Sequence, residues 1–456
     1  MVPFWVLLYA VLPRSFRPRR SWSIKQIVAV NFTRRIYKVT ERAGVTWGTR
    51  DPEEACDNRA LKETRFEWVD PLPERLRTGI VADGQVPFKR VGVFVWPKDG
   101  SEGSIQRKES GIALTSPSDV EARAGNEPLI GIFLHGGGYC HMSAHESSST
   151  SKIPRQLIKD KAFDQIYAVE YRLLQHAPFP AAVQDAAAVY AHIVRQHQRP
   201  PTNCKVVLIG DSAGGNLVLA LARWIRDEGV LPPPDGLLLL SPSCDPSHAF
   251  PESPSSYIPR PHGSTDYLVD TPEPRALLQR TFLGHNPLET MHSPYVSPAS
   301  MRVLRAYYGD AFAHSVQDLT IEQMDTAARK RLREMTSVPG TPANQPETPF
   351  EPSTNGEVNG LKPSPTSLAL PQISSPRGLS LFSEFPRACI VLGDAERLER
   401  EVMKLVSGME RDGVDVRTIW VEDGVHDVLM MGWWDEQVRA KVWGEVEDWL
   451  GENLRP

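Results

Sequence analysis

Short apolar runs and longer amphipathic stretches take turns along most of this chain. Val91–Val95 (VGVFV), Leu129–Leu134 (LIGIFL), Ile166–Glu170 (IYAVE), Lys205–Ile209 (KVVLI), Gly236–Leu240 (GLLLL), Ala388–Leu392 (ACIVL) and Val416–Trp420 (VRTIW) have the length of strands. The later ones are near-continuous apolar runs, the pattern of strands covered on both faces. Between them lie helical patterns. Ala181–Arg195 is rich in Ala and Val, Ala213–Arg226 places Leu217, Leu221, Trp224 and Ile225 on one stripe, and Val438, Val442, Val446, Trp449 and Leu450 recur at helical spacing near the end. Such alternation predicts an α/β fold whose mainly parallel sheet carries helices on both faces. No internal repeat or coiled coil is visible.

Two stretches break the pattern. From about Lys98 to Pro128 the chain is polar and rich in Gly and Ser, and from about Ser337 to Gly378 it repeats Pro, Ser, Thr, Asn and Gly with almost no apolar periodicity. Neither composition buries enough surface to offset its ordering entropy. Both read as insertions in surface loops, where added length costs little.

The N-terminus carries a different signal. Phe4 to Leu12 (FWVLLYAVL) is apolar but shorter than the ~20 residues that span a bilayer. No Lys or Arg precedes it and no small-x-small site follows it, so it does not read as a secretory signal. Next come Arg14, Arg17, Arg19, Arg20, Lys25, Arg34, Arg35 and Lys38, interleaved with Trp22, Ile24, Ile27, Val28, Phe32 and Ile36. This mixture fits helices that cap the rest of the chain, or a segment lying on an anionic lipid surface.

Composition narrows the classes further. The 456 residues are 41% hydrophobic, enough for one large core, and a formal net charge of −5 offers nucleic acid no global attraction. The five cysteines, Cys56, Cys140, Cys204, Cys244 and Cys389, are widely spaced without a CxxC. They suggest neither a disulfide framework nor a zinc site, but free thiols in a reducing compartment. The expected location is therefore cytoplasmic, with association to an intracellular membrane open through the N-terminus.

Candidate chemistry centres on Gly210-Asp211-Ser212-Ala213-Gly214-Gly215-Asn216. A strand pattern runs straight into G-x-S-x-G and an apolar-striped helix follows, the context in which this motif presents a nucleophilic serine. The flanking glycines permit a turn too tight for side chains, and the helix N-terminus favours developing negative charge beside Ser212. A second glycine run, His135-Gly136-Gly137-Gly138-Tyr139, also follows a strand. Backbone N–H groups of Gly137, Gly138 and Ala213 are candidate donors to an oxyanion. A phosphate-binding loop is the rival, but no Lys-Ser/Thr follows. His135 reads as a structural residue that orients the loop.

HGGGY, then Tyr171-Arg172-Leu173 followed by PFPAAVQD, then GDSAGGN, in this order, resemble the hormone-sensitive-lipase family of α/β hydrolases. Ser241-Pro242 with Asp245, and Ser293-Pro294, fit as well, and the likeness runs from about Val91 to the C-terminus apart from the Pro/Ser-rich stretch. Where the family usually reads YRLAPE, this chain has Leu174-Gln175-His176 after Leu173. The resemblance implies an α/β-hydrolase core over 86–245 and 379–456. It implies a helical cap from the N-terminal segment 1–85 and an insertion over 246–318, with 319–378 a linker insertion. It places the general base at His426, on the loop after the last strand. The family's acid opens the pattern D-P-L-R-D-E. Superposing its Leu on Leu398 and its final Glu on Glu401 puts Glu396 at that position and leaves Asp394 as the alternative.

The activity implied is serine carboxylic-ester hydrolysis through an acyl-enzyme, without metal or organic cofactor. The expected partner is a small hydrophobic ester with a short- to medium-chain acyl group. Acetylated sterols are one such class, because fungal relatives with basic N-termini include steryl acetyl hydrolases. A receptor on the same fold, as in plant gibberellin receptors that lack the base, is the rival of a different class. Lactonase, amidase or acyltransferase chemistry stays open, since a triad does not name its leaving group.

Overall fold

The computed structural model describes residues 2–98, 127–197, 204–250, 257–270, 280–316 and 378–454. The insertion expected at 98–128 and the linker at 319–378 fall almost wholly outside the described residues. One sheet holds eight strands: β1 (Arg65–Val69), β2 (Val91–Trp96), β3 (Leu129–Leu134), β4 (Gln165–Glu170), β5 (Lys205–Asp211), β6 (Gly236–Leu240), β7 (Ala388–Gly393) and β8 (Val416–Val421). Their order is β1-β2-β4-β3-β5-β6-β7-β8. β1 and β2 are antiparallel to their neighbours, and all the later pairings are parallel.

Seven of these strands match the apolar runs in the sequence. The eighth, β1, lies inside the segment 1–85 that was assigned to the cap, so the sheet takes in part of it. RFEWV buries only Phe66 and Val69 and leaves three residues half-covered. An edge strand of this kind lacks the continuous apolar run of a central strand.

Helices cover both faces of the sheet. They are α1 (Val2–Val11), α2 (Ile24–Ala43), α3 (Lys152–Lys159), α4 (Ala181–His197), α5 (Ala213–Glu228), α6 over 301–316, α7 (Glu399–Arg411) and α8 (Glu436–Leu454). Alternation along β5 divides the core. Val206 and Leu208 pack with Val183 of α4, Leu217 of α5 and Val402 of α7, while Val207 and Ile209 pack with Leu157 of α3 and Val446 of α8. α5 is the most enclosed helix, every residue from Ala213 to Asp227 being buried. Its Trp224 Nε1–H donates to the Thr78 carbonyl at 3.0 Å, so even this wholly buried ring is satisfied.

α2 starts on a capping box. Ser23 Oγ accepts from the Gln26 N–H, and Gln26 returns an acceptor to the Ser23 N–H; Gly44, in the left-handed region, ends the helix. Ile27 and Val30 fasten it to the body, whereas α1 buries none of its residues. All five cysteines are free, and four of them are buried. Among the described residues no helix is long and apolar enough to cross a membrane.

Candidate active site

β5 ends at Asp211 and α5 begins at Ala213, which leaves Ser212 alone in the turn between them. Its backbone is at φ 50°, ψ −117°, a conformation that costs energy for a residue with a side chain. The turn closes because its neighbours lack Cβ atoms: one on Gly210 would collide with the Gly214 carbonyl, and one on Gly214 with the Leu134 carbonyl. The Ser212 N–H donates to Leu240 O (2.9 Å), and the Ser243 N–H donates to Ser212 O (3.0 Å), pinning the turn to β6 and the loop after it.

The loop after β8 brings a buried His426 to this turn. Its Nε2 lies 2.9 Å from Ser212 Oγ, within hydrogen-bond reach. Glu396 comes from the turn between β7 and α7 and is wholly buried. Its Oε2 accepts from Ser241 Oγ (2.7 Å) and from the Gly393 N–H (3.1 Å). Its Oε1 and His426 Nδ1 are both buried without a hydrogen-bond partner among the described residues. Burial pushes the Glu396 carboxyl up to about 8, with the nearby His426 charge, then Ser241, acting in the opposite sense. Asp394 points elsewhere: it pairs with Arg19 of the N-terminal segment at 3.4 Å, and its side chain is 23% exposed.

Two more carboxylates that the sequence did not single out act on His426. Asp427 Oδ2 stands 3.1 Å from His426 Nε2, the same nitrogen that meets the serine. Adjacent residues in extended backbone point to opposite sides. Asp427 returns toward its neighbour because it sits in the left-handed region at φ 50°, and nothing in GVHDV announces that turn. Asp266, from the 246–318 segment, accepts from the N–H groups of Tyr267 (2.7 Å) and His426 (3.4 Å) on one oxygen, and of Arg397 (2.7 Å) on the other. Burial alone would lower the pKa of His426. Asp427, by charge and contact, outweighs it together with Glu396 and Asp266, and holds the imidazole at about 10.

Opposite His426, the loop after β3 is fastened at both ends. The Gly136 N–H donates to Asp211 Oδ1 (2.9 Å), and the Tyr171 hydroxyl donates to the His135 carbonyl (2.5 Å). His135 stacks on the Tyr171 ring at 4.4 Å, and burial drives its pKa down to about 4, so it is a neutral packing residue at pH 7. Gly137 at φ 109° and Gly138 at φ 62° carry the chain through the turn. Their N–H groups meet no acceptor among the described residues. The Ala213 N–H, first in α5, has no acceptor within the helix either. Tyr139 extends this loop to α5, its hydroxyl donating to Asn216 Oδ1 (2.9 Å), while Asn216 Nδ2 donates to the carbonyls of Ser243 (3.0 Å) and Val296 (2.9 Å). Asn216 therefore couples the glycine loop, the serine turn and the 246–318 segment.

Aromatic rings wall the site. Tyr267 lies 5.9 Å from the His426 ring, Tyr37 of α2 packs on Tyr267 at 5.2 Å, and Trp47 packs on Tyr37 at 5.1 Å. The N-terminal segment and the 246–318 segment thus both supply this wall.

The fold and the serine turn are those of an α/β hydrolase, and comparison with known proteins agrees. The α/β-hydrolase fold family model matches residues 131–335. An acetyl-hydrolase of Streptomyces hygroscopicus is 32% identical over 163 residues, which are 36% of this chain and 50% of that protein. The hormone-sensitive lipase of Mus musculus is 30% identical over 153 residues, 32% of this chain and 19% of that one. Among solved structures, a hormone-sensitive-lipase homologue from a metagenome library superposes with a TM-score of 0.50 at 16% identity, over 94% of this chain and 96% of its own, a likeness of fold. The chain has the α/β-hydrolase fold and, over these stretches, is similar to members of the hormone-sensitive-lipase family. It aligns with half or less of the length of the first curated relatives it matches.

Proposed function

We propose that this chain is a serine carboxylic-ester hydrolase that acts through an acyl-enzyme on short- to medium-chain acyl esters of hydrophobic alcohols. The observation that carries the reading is the 2.9 Å approach of His426 Nε2 to Ser212 Oγ at a strand–turn–helix. Neutral His426 takes the Oγ proton as Ser212 attacks the ester carbonyl. The N–H groups of Gly137, Gly138 and Ala213 receive the oxyanion. The imidazolium then protonates the leaving alcohol, and a water molecule, deprotonated by the same nitrogen, releases the acid. Glu396 is the acid of the triad: its unmatched Oε1 is the acceptor for a proton on Nδ1, which fixes the tautomer that leaves Nε2 free to act. A short acyl group is favoured by the name of the Streptomyces relative, an acetyl-hydrolase. A hydrophobic alcohol suits the aromatic wall of Tyr37, Trp47 and Tyr267.

The test is Ser212→Ala. Its kcat on p-nitrophenyl esters is expected to drop by a factor on the order of 10⁴–10⁶ with the fold intact, and labelling by a fluorophosphonate probe is expected to vanish. Persisting label with turnover near wild type would assign the nucleophile elsewhere. A chain-length panel that includes an acetylated sterol then reads the acyl and alcohol preferences.

A further inference from the structure

The first forty residues contain eight basic side chains and no acidic one. Three of the eight are engaged within the fold. Arg17 donates to the Trp22 carbonyl, Arg19 pairs with Asp394 and Asp423, and Arg34 donates to the carbonyls of Ser264 and Asp266. The other five, Arg14, Arg20, Lys25, Arg35 and Lys38, are exposed, and none has an ion-pair partner among the described residues.

Large apolar side chains are exposed among these cations. On α1, Phe4 (59%), Leu7 (66%) and Val11 (81%) recur at i, i+3 and i+7 and share one side. On α2, Phe32, Ile36 and Val39 repeat at i, i+4 and i+7, all exposed, on the side opposite buried Ile27 and Val30. Scattered exposed apolar residues are ordinary, but two aligned stripes on helices that pack together are not. Apolar stripes bordered by free cations, with no acidic residue among the first forty, complement a surface that is negative outside and apolar beneath. α1 has ten residues and is about 15 Å long, too short to cross a bilayer but suited to lie in its interface.

We propose that α1 and the outward face of α2 dock this protein on an anionic lipid surface. The docking helix is also part of the active-site wall. The inward side of α2 carries Tyr37, which packs on Tyr267 beside His426. Docking therefore sets the covering wall of the site against the bilayer, where a lipid-soluble ester is concentrated.

The experiment floats the full chain on a density gradient with vesicles of phosphatidylcholine alone or mixed with phosphatidylserine, at low and high salt. The protein is expected to rise with the mixed vesicles, and the bound fraction is expected to fall about ten-fold on neutral vesicles or at high salt. Two variants test the two components: Phe4→Ser with Leu7→Ser and Val11→Ser, and Arg14→Glu with Lys25→Glu and Arg35→Glu. Each is expected to lose flotation while keeping the wild-type circular dichroism spectrum and turnover of a water-soluble ester. Wild-type protein that stays at the bottom, or variants that float like wild type, would overturn the proposal. So would equal binding to neutral vesicles, which removes the role of charge. A wild-type dimer that the apolar variant dissolves, without vesicle binding, would make the stripe a protein–protein face instead. Flotation does not depend on hydrolysis, so failure of the esterase reading would leave this result standing.

Discussion

Four carboxyl groups act on the imidazole of His426, and they differ in what they can do there. Asp211 is turned to the Gly136 N–H, and burial, with Asp427 second, pushes its pKa well above the ordinary value. Asp266 is occupied by three backbone N–H groups. Glu396 has one oxygen fixed by Ser241 and Gly393 and one left over. Glu396→Gln is therefore expected to lower kcat by about 10³–10⁴. Asp394→Asn, at a partly exposed side chain that pairs with Arg19, is expected to stay within a few-fold and to cost about 1 kcal/mol of stability. Both are measured on one ester at one pH, and the reverse outcome would move the acid to Asp394. Asp427 calls for a different measurement. It is the leading carboxylate in raising His426 to about 10, and the proposed mechanism needs a neutral imidazole to accept the Ser212 proton. Wild-type kcat/KM is thus expected to climb with pH toward that value. Asp427→Asn lowers the imidazole pKa, so its acid limb is expected to move to lower pH. Well below the pKa, each unit of that movement raises the rate about ten-fold. Paired pH–rate profiles check this, and superimposable acid limbs would exclude Asp427 as the controlling group.

At the scale of elements, legibility followed burial. β3, β5, β6 and β7 are nearly or wholly buried, so their apolar runs could be read to within two residues, and the serine turn could be placed because a strand and an amphipathic helix bracket it. β1 escaped because an edge strand with Arg65, Glu67 and Trp68 half-covered has no continuous apolar run. The parts of the site that escaped are those made by backbone conformation or by distant loops. Asp427 reaches His426 only through a left-handed residue, and Asp266 arrives from a position 160 residues away in the chain. Periodicity has no access to either event. The start of α2 is a local feature and can be tested as one. Ser23→Ala removes the hydroxyl that accepts the Gln26 N–H and half of the capping box. The expected loss is about 1 kcal/mol in urea unfolding. Ser23→Asp, which keeps the acceptor, is expected to recover most of it.

Across the whole molecule, one carboxylate shows how the sheet tolerates an interruption between β6 and β7. Asp412, just after α7, accepts from the Tyr308 hydroxyl (2.5 Å) and from the Phe382 N–H (2.6 Å) through the same oxygen. Tyr308 belongs to α6, before the Pro/Ser-rich stretch, and Phe382 follows it, so the two flanks converge on a single side chain. The returning chain is also gripped from α5, where Arg226 Nη1 donates to the carbonyls of Ser380 (3.0 Å), Leu381 (2.9 Å) and Ser383 (3.1 Å). β7 then enters its place against β6 with both flanking anchors made. Closing a loop between fixed ends depends only weakly on loop length, roughly 0.6 kcal/mol for each doubling. The composition of 337–377 also offers no apolar face that the core would miss. Replacing 337–377 with a short Gly/Ser spacer is therefore expected to keep kcat/KM within a few-fold and to leave the unfolding midpoint unchanged or slightly raised. Loss of soluble protein together with activity would show that these residues pack into the fold. Asp412→Ala, in contrast, leaves the Tyr308 hydroxyl and the Phe382 N–H without the acceptor they share. It is expected to destabilise the protein by about 1–3 kcal/mol, with urea unfolding as the readout.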